Sequence, residues 1–363
     1  MLSTCVCNGK YPTRRKGSQA SKAILEELTD TSLSFLSFSF ESLGFVTPWG
    51  PRGYDVALAT TFTYIAPVWY QVHGHKRGST LQPDLGGAHD VDREWVQRVR
   101  ARGSKVVPRF IFEGFSSSDW ATIQRSETIR KRISEFITEQ VSTEKYDGVV
   151  LEMTDAWPSA KKASASPLEL IREIHQSVKA LGQEKSVIIV ASPHLQLNSL
   201  EDLAQIASVA DRIVVMTYDY SIHQVGPNAP IQWVRDVITL FTARELAHLK
   251  GKLLLGLNFY GRLFHGSPGS YPNHQQAILG HEFVDLIQRF GKDGVLKYDE
   301  KDQEYYFQFK GENGIASTAY YPSMRSIAAR LSLAQEFDLP GVAIWELAQG
   351  LDEFTGMFRQ TDT

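Results

Sequence analysis

The sequence predicts an α/β fold of the (β/α)8 TIM-barrel class, with a small α+β insertion between the seventh and eighth strands. Eight short apolar runs alternate with amphipathic segments between residues 44 and 347, which is the pattern of repeated strand and crossover-helix units. No G-x-G-x-x-G turn follows the first run, which disfavours a dinucleotide-binding doubly wound sheet. The connection between the seventh and eighth runs is far longer than the others and predicts the insertion.

Each predicted strand is a short apolar run rich in β-branched or aromatic residues. The runs occupy residues 44–49, 64–72, 105–114, 147–153, 186–193, 212–220, 252–261 and 341–347. The predicted helices have apolar residues three or four positions apart, which is the spacing of one helical face. They occupy residues 92–103, 126–141, 167–182, 200–210 and 323–337.

The bounds of the barrel and of its insertion follow from these runs. The long connection contains an amphipathic helix, HEFVDLIQRFG, and two strand-like runs, VLKYDE and EYYFQFK. We therefore expect an insertion at about residues 262–320, either as a wall of a cleft on the C-terminal face or as a purely structural addition. Residues 29–40 are rich in serine and phenylalanine without clear helical periodicity, so we expect a poorly ordered N-terminal segment over residues 1–42, before a barrel of residues 43–363.

Composition excludes several classes of protein. The 363-residue chain has 22% charged residues and a formal net charge of -3, which gives no reason to expect a nucleic-acid partner or binding to an anionic membrane. No stretch approaches the ~20 apolar residues of a membrane span. No signal peptide is visible in this chain, because its N-terminus lacks an apolar core region.

The cysteines and histidines do not predict a metal site. Cys5 and Cys7 stand alone near the N-terminus, and a single C-x-C pair cannot complete a structural zinc site. His73 and His75 have an H-x-H spacing, but the glycines and basic residues around them favour a solvated loop. We therefore expect no metal and no cofactor.

The fourth predicted strand carries a carboxylate in an apolar run. The stretch KYDGVVLEMTDAW begins with an Asp-Gly turn and ends in polar residues, as expected for a buried strand that emerges at a sheet edge. Side chains alternate along a strand, so Val150, Glu152 and Thr154 share one face. What this face contacts decides whether Glu152 acts in chemistry, in binding or only in structure.

Aromatic residues recur at the carboxyl ends of the predicted strands, where the functional groups of TIM barrels lie. An aromatic ring offers an apolar platform for the C–H face of a sugar, while carboxylates bind its hydroxyl groups. A single aromatic residue is more often part of a core, so it is the clustering that favours a carbohydrate site. The candidate sugar-binding residues at these ends are Trp49, Trp69, Glu152, Tyr218, Asp219, Tyr260 and Trp345.

Three motifs resemble those of family 18 glycoside hydrolases, the chitinases. MTYDY, which begins at Met216, resembles the sixth-strand M-x-Y-D motif of that family. GVAIWEL places Trp345 where the family has the tryptophan that floors the central sugar subsite, and YDGVVLEM resembles the fourth-strand pattern D-G-x-D-x-D-x-E. The likeness covers about residues 43–354, and runs such as GFVTPWGPRGYDV and LLLGLNFYG are similar to a chitinase-like branch of the family.

The resemblance implies a ligand, a partner and a location. It implies binding of chitin, chito-oligosaccharides or related amino sugars, and it adds Met216 to the candidate sugar-binding residues. The chitinase-like branch further implies recognition of bacterial lipopolysaccharide, a role in innate immune sensing and a scavenger-receptor protein partner. It also implies a secreted, endomembrane or lysosomal location.

The fourth strand departs from the hydrolase pattern. When the motif is aligned on Asp147, its second Asp falls on Val150, its third Asp on Glu152 and its proton-donating Glu on Thr154. Family 18 hydrolysis is substrate-assisted, with the Glu protonating the leaving oxygen, and a threonine hydroxyl is too weak an acid for that step. The loss of a general acid removes about 10²- to 10⁴-fold in rate, so we assign no catalytic residue.

Three functions are compatible with these residues. The favoured one is an oligosaccharide-binding, lectin-like protein without efficient hydrolysis. The second is a weak or altered glycoside hydrolase that uses Glu152, whose carboxylate starts about 6–7 Å deeper than the lost acid. The third is a partner-binding barrel without sugar recognition. Alternatively, Glu152 has only a structural role and is hydrogen-bonded to Asp219 or Tyr218 across the barrel.

Overall fold

The structure, a computed structural model, describes residues 19–30, 32, 40–77, 80–153, 156, 167–193, 204–205, 207–312 and 314–358. The strands are β1 (Glu41–Val46), β2 (Tyr64–Pro67), β3 (Tyr70–Arg77), β4 (Thr80–Gly86), β5 (Lys105–Val106), β6 (Arg109–Glu113), β7 (Gly148–Glu152), β8 (Ser186–Ala191), β9 (Arg212–Val215), β10 (Leu253–Asn258), β11 (Gly261–Phe264), β12 (Gln275–Ile278), β13 (Val295–Asp299), β14 (Glu304–Lys310), β15 (Ala316–Tyr321) and β16 (Gly341–Trp345). The α-helices are α1 (Gln19–Leu28), α2 (Pro51–Ala59), α3 (Arg93–Ala101), α4 (Ser117–Arg125), α5 (Glu127–Thr143), α6 (Leu168–Leu181), α7 (Ile231–Phe241), α8 (Gly280–Phe290) and α9 (Met324–Glu336). No helix in these ranges is long and apolar enough to cross a bilayer.

Parallel strands form a ring, which confirms the predicted TIM-barrel class. Strands β7, β8, β9, β10, β16 and β1 follow one another by parallel pairing. The second barrel strand is interrupted: β2 pairs with β1, and β3 pairs with β6 after a break at Val68 and Trp69. The third strand is divided in the same way into β5 and β6. Because β6 pairs with β7, the circuit of strands closes.

Alternating side chains give the barrel two apolar layers. The inward-facing residues are Leu43, Phe45, Tyr64, Ala66, Val68, Val107, Val150, Ile188, Val190, Val214, Leu254 and Ala343. Residues of the opposite parity pack against the helices, and Val149, Leu151 and Met153 belong to this outer layer. The predicted alternation along the fourth strand is therefore confirmed, and it directs Glu152 to the inside of the barrel.

The Asp-Gly turn fixes the amino-terminal end of β7. Gly148 has a φ of 153°, and a Cβ atom there would lie 2.0 Å from the carbonyl oxygen of Ser186 on β8, so only glycine fits. Asp147 Oδ2 accepts hydrogen bonds from the Val106 backbone N–H at 2.8 Å and from Arg100 Nε at 3.0 Å. Asp147 therefore acts structurally at the end of β7 opposite to the barrel mouth, by which we mean the rim formed by the carboxyl ends of the barrel strands.

The insertion between the seventh and eighth barrel strands is a five-stranded antiparallel sheet with one helix. Its strands lie in the order β12, β11, β15, β14 and β13, and α8 follows β12 in the chain. The sequence predicted α8, β13 and β14 but not β11, β12 and β15. The missed strands have only four to six residues and mix polar with apolar side chains, so their strand signal is weak.

The expectation of a poorly ordered N-terminal segment is wrong for residues 19–28, which form α1. Leu28 is completely buried, and Ser21 Oγ donates to the carbonyl oxygen of Ile287 on α8 at 2.9 Å. The sequence does carry a signal for this helix, since Ile24, Leu25 and Leu28 lie on one helical face and pack in the outer layer. Cys5 and Cys7 lie outside the described residues.

The loop expected around the two histidines is also wrong. His73 and His75 lie on β3, which pairs with β4 in an antiparallel hairpin that extends the second barrel strand. Their rings lie 5.6 Å apart between centroids, and His75 Nε2 lies 3.4 Å from Asp84 Oδ1. The helix predicted at residues 200–210 lies mostly outside the described residues.

Candidate functional site

Trp345 forms an aromatic floor at the barrel mouth. It is the last residue of β16, and its partly buried ring packs with Met216 against the apolar interior of the barrel. The ring of Phe45 on β1 lies 5.3 Å from the Trp345 ring between centroids. This packing fixes the indole while leaving it partly exposed, which suits stacking against a sugar ring.

Glu152 forms an ion pair with Arg109 beside this floor. Arg109 Nη1 donates to Glu152 Oε2 at 2.9 Å, and the two side chains are only 8% and 14% exposed, respectively. The guanidinium also lies over the Trp345 ring, with Cζ 5.2 Å from the ring centroid. This ion pair takes the place of the hydrogen bond to Tyr218 or Asp219 that was the structural alternative for Glu152.

Asp219 is a second carboxylate at the barrel mouth and also binds an arginine. Its Oδ1 accepts hydrogen bonds from Arg262 Nε at 3.2 Å, from Arg262 Nη2 at 2.6 Å and from the Tyr260 hydroxyl. Its φ of 65° lies in the left-handed region, which Asp tolerates better than most residues. The rings of Tyr218 and Tyr260 meet edge to face, 6.2 Å apart between centroids. These three predicted residues are therefore brought together.

The two tyrosines stay protonated at the barrel mouth. Burial raises the pKa of Tyr218 well above its ordinary value, and the carboxylates of Glu152 and Asp219 raise it further. Burial likewise raises the pKa of Tyr260 well above its ordinary value, with Asp219 as the next cause. Both phenols therefore keep their hydroxyl protons near neutral pH.

A buried ion pair anchors the segment that carries Asp219. The Asp219 N–H donates to Asn228 Oδ1 at 2.8 Å, and the Asn228 N–H donates to Glu304 Oε2 at 2.9 Å. Arg330 Nη2 donates to Glu304 Oε1 at 3.1 Å, and both side chains are buried. Glu304 lies on β14 and Arg330 on α9, so the insertion and the outer helices together position this part of the barrel mouth.

Two predicted tryptophans have opposite environments. Trp49, in the segment after β1, is 67% exposed. Trp69 is completely buried in the outer layer, where its Nε1 donates to the Tyr54 hydroxyl at 2.7 Å. The prediction that Trp69 binds sugar is therefore wrong, because Val68 faces the barrel interior and Trp69 takes the opposite direction. Thr154 lies outside the described residues.

Trp69→Phe will lower the stability of the protein and leave its sugar affinity unchanged. The smaller ring leaves a gap in the outer layer and removes the donor to Tyr54, so we expect the free energy of unfolding to fall by about 1–3 kcal/mol. Urea unfolding measures the stability, and titration with N-acetylglucosamine oligomers measures the affinity. A dissociation constant changed by more than about threefold would place Trp69 back in the site.

Glu346 follows Trp345 but is sealed from solvent, with 2% of its surface exposed. Its Oε2 accepts a hydrogen bond from the Ala348 N–H at 3.1 Å. Burial raises the pKa of Glu346 to about 8, against smaller lowering effects of the Ala348 N–H and of Arg52. The folded protein therefore keeps a proton on this carboxyl group at neutral pH.

The protein will lose stability between about pH 5 and pH 8, and Glu346→Gln will remove this loss. In this interval the folded state retains a proton that the unfolded chain, with a pKa near 4.5, has released. The free energy of unfolding therefore falls as pH rises, by up to about 1.4 kcal/mol per pH unit. Urea unfolding at both ends of the interval measures the slope, with Glu353→Gln, at an exposed position, as the control. Equal slopes for the wild type and Glu346→Gln would contradict the assignment.

Arg109 and Arg262 belong to the site but were not among the predicted residues. Each pairs with a carboxylate from a different strand or loop, and such pairing depends on the register between strands. One signal was available for Arg109, because it is a charged residue inside the apolar run KVVPRFIFEG, as Glu152 is in its own strand. Across the described ranges, no group of three or more His, Cys, Asp or Glu side chains could hold a metal ion.

Comparisons with known proteins agree with the barrel fold and with the resemblance to family 18. The sequence pattern of glycosyl hydrolases family 18 matches residues 103–350. YdhD of Bacillus subtilis (strain 168), which carries the name of a sporulation-specific glycosylase, is 21% identical over 276 residues. The matched region is 73% of this chain and 62% of that protein, so the chain spans less than two thirds of the relative's length.

Two solved structures share the fold at low sequence identity. A chitinase from Chromobacterium violaceum ATCC 12472 is 17% identical with a TM-score of 0.71, over 88% of this chain and 98% of that chain. A family 18 chitinase from Cycas revoluta, solved in complex with (GlcNAc)3, is 14% identical with a TM-score of 0.67, over 87% of this chain and 98% of that chain. Because the family pattern spans residues 103–350, more than half of the chain, the protein belongs to glycosyl hydrolase family 18.

Proposed function

We propose that the protein binds amino-sugar oligosaccharides of the chitin type at the barrel mouth and does not hydrolyse them efficiently, which is a lectin-like function. The observation that carries the proposal is the partly exposed Trp345 ring beside a Glu152 carboxylate that is already bound to Arg109. The ring can stack on a sugar, while the neighbouring carboxylate can accept a hydrogen bond from a sugar hydroxyl without leaving its ion pair.

The absence of hydrolysis rests on two carboxylates and one sequence position. The motif position of the proton-donating Glu is Thr154 in this chain. Glu152 pairs with Arg109 and Asp219 pairs with Arg262, so both carboxylates are already engaged in ion pairs. A side chain engaged in this way would have to leave its arginine before it could serve the leaving oxygen as a general acid.

A relative supports the choice of ligand. The Cycas revoluta chitinase shares the barrel and was solved in complex with (GlcNAc)3. We extend that ligand class to this chain because Trp345, Met216 and Asp219 lie together at the corresponding end of the barrel strands.

Calorimetric titration with N-acetylglucosamine oligomers tests the proposal. We expect a saturable heat of binding and a change in tryptophan fluorescence, because the ligand would cover Trp345 and displace water from it. If the folded protein gives neither signal at millimolar ligand, the proposal is overturned. Circular dichroism on the same sample establishes that the protein is folded.

A weak glycoside hydrolase is the second candidate, because Glu152 is a carboxylate at the barrel mouth and its side chain is 14% exposed. This function requires Glu152 to release Arg109 and take up a proton. It predicts turnover of a chromogenic chito-oligosaccharide that disappears in Glu152→Gln. Release of the chromophore at the rate of a protein-free blank would exclude the hydrolase function.

A partner-binding barrel is the third candidate, favoured by large apolar side chains exposed on loops, of which Trp49 is 67% and Tyr271 86% exposed. Within family 18 we propose a place among the chitinase domain-containing proteins. A scavenger-receptor partner, a role in immune sensing and a secreted or lysosomal location would follow from that place. Lipopolysaccharide recognition would follow as well, but it belongs to the first, sugar-binding function. Capture of a scavenger-receptor ectodomain by Trp345→Ala, with no sugar affinity in the wild type, would favour this function over the first.

A further inference from the structure

Both ion pairs at the barrel mouth present their carboxylates to solvent more than their arginines. The Asp219 side chain is 42% exposed, against 13% for Arg262. The Glu152 side chain is 14% exposed, against 8% for Arg109. In both pairs the carboxylate side chain is therefore the more accessible partner, by a wide margin at Asp219 and a narrow one at Glu152.

The tyrosines between the two pairs experience the same polarity. At Tyr218 the effects of Glu152 and Asp219, which raise its pKa, exceed the lowering effect of Arg109. At Tyr260 the effect of Asp219 likewise exceeds the lowering effect of Arg262. At both phenols the neighbouring carboxylates therefore act more strongly than the neighbouring arginines.

We propose that this difference in exposure gives the site its fine specificity: it selects oligosaccharides that contain free amino groups, such as glucosamine units, over their acetylated counterparts and over oligosaccharides whose only charged groups are carboxylates. The inference rests on the proposed function, since it describes the ligand of the same site. An ionised carboxylate only accepts hydrogen bonds, so its best partner is a donor that also carries positive charge. A carboxylate substituent would meet the acceptor groups of Glu152 and Asp219, each of which is more exposed than its own arginine.

Three oligosaccharides of equal length test the inference with the wild-type protein. They are an oligomer of glucosamine, an oligomer of N-acetylglucosamine and an oligomer of galacturonic acid, titrated near pH 6, where a primary amine is protonated. At low ionic strength we expect the glucosamine oligomer to bind about three- to tenfold more tightly than its acetylated counterpart. The acidic oligomer will not bind, and added salt will reduce the advantage of the amine.

Each contrary result has a distinct meaning. Tighter binding of the acetylated oligomer, or binding of the acidic oligomer with similar affinity, would overturn the inference and leave the proposed function in place. No binding of any of the three oligomers by the folded protein would overturn both.

The variant Asp219→Asn tests whether the more exposed carboxylate causes the preference for the glucosamine oligomer. Asparagine keeps an acceptor for Tyr260 and Arg262 but removes the charge, so the ratio of the glucosamine to the N-acetylglucosamine affinity should fall toward one. Asp236→Asn, at an exposed position on α7, removes one negative charge elsewhere and should leave the ratio unchanged. An unchanged ratio in folded Asp219→Asn would overturn the role of Asp219. If that variant does not fold, the wild-type comparison of the three oligomers still decides the inference.

Discussion

Trp345→Ala will weaken the binding of N-acetylglucosamine oligomers by about ten- to a hundredfold. The indole contacts the Phe45 ring and the Arg109 guanidinium at the barrel mouth, and its partly exposed surface is the part on which a sugar ring can stack. Alanine removes this platform and leaves the polar groups of the site without an apolar surface that orients the sugar. Calorimetric titration of both proteins with the same oligomer measures the change.

Phe136→Ala is a matched control for the loss of an aromatic ring. Phe136 lies on α5 in the outer helix layer, and it too has an arginine over its ring, with Arg132 Cζ 5.4 Å from the centroid. We expect this variant to keep the wild-type sugar affinity. If Trp345→Ala is folded and binds as tightly as Phe136→Ala, Trp345 does not form the sugar floor.

Arg109→Met will destabilise the protein by about 3–5 kcal/mol, because it leaves the Glu152 carboxylate largely buried and without its cation. The methionine also loses the contact that the guanidinium makes with the Trp345 ring. Urea unfolding of the wild type and the variant measures the change in the free energy of unfolding.

The double variant Arg109→Met/Glu152→Leu will recover most of that stability. It replaces both charges by apolar side chains of similar size, and such replacements of buried ion pairs are often neutral or stabilising. A double variant as unstable as Arg109→Met would mean that the loss comes from packing at Arg109 rather than from an unpaired carboxylate. Sugar titration of the double variant then measures what the pair contributes to binding.

The sequence was informative where local pattern decides structure. The run around Val150 has the alternation and the Asp-Gly turn that the barrel strand requires, and Trp345 ends an apolar run at the barrel mouth as expected. These features depend on side-chain periodicity and on one glycine that lies against Ser186, and both can be read from a short window.

Pairing between distant residues was not predictable in the same way. Arg109 reaches Glu152 because β6 and β7 pair in a register that sets Arg109 opposite Val150 and Ile111 opposite Glu152. Arg262 reaches Asp219 because β11 begins three residues after β10 ends at the barrel mouth. No local pattern specifies such a register.

Trp69 shows a different limit. The predicted second strand ran without a break over residues 64–72, so its aromatic residues were assigned to the strand end, whereas the structure interrupts the strand after Pro67 and buries Trp69 against helices. Its parity relative to Val68 was the available signal, since inward and outward residues alternate.

The most direct test of sugar binding without hydrolysis measures binding and cleavage in one sample. The protein is titrated with an N-acetylglucosamine oligomer in a calorimeter, incubated at saturation, and the recovered ligand is analysed by mass spectrometry. We predict a saturable heat that Trp345→Ala loses, with the oligomer recovered at its original length. Shorter oligomers in the recovered ligand, or no heat with folded protein, would contradict this account.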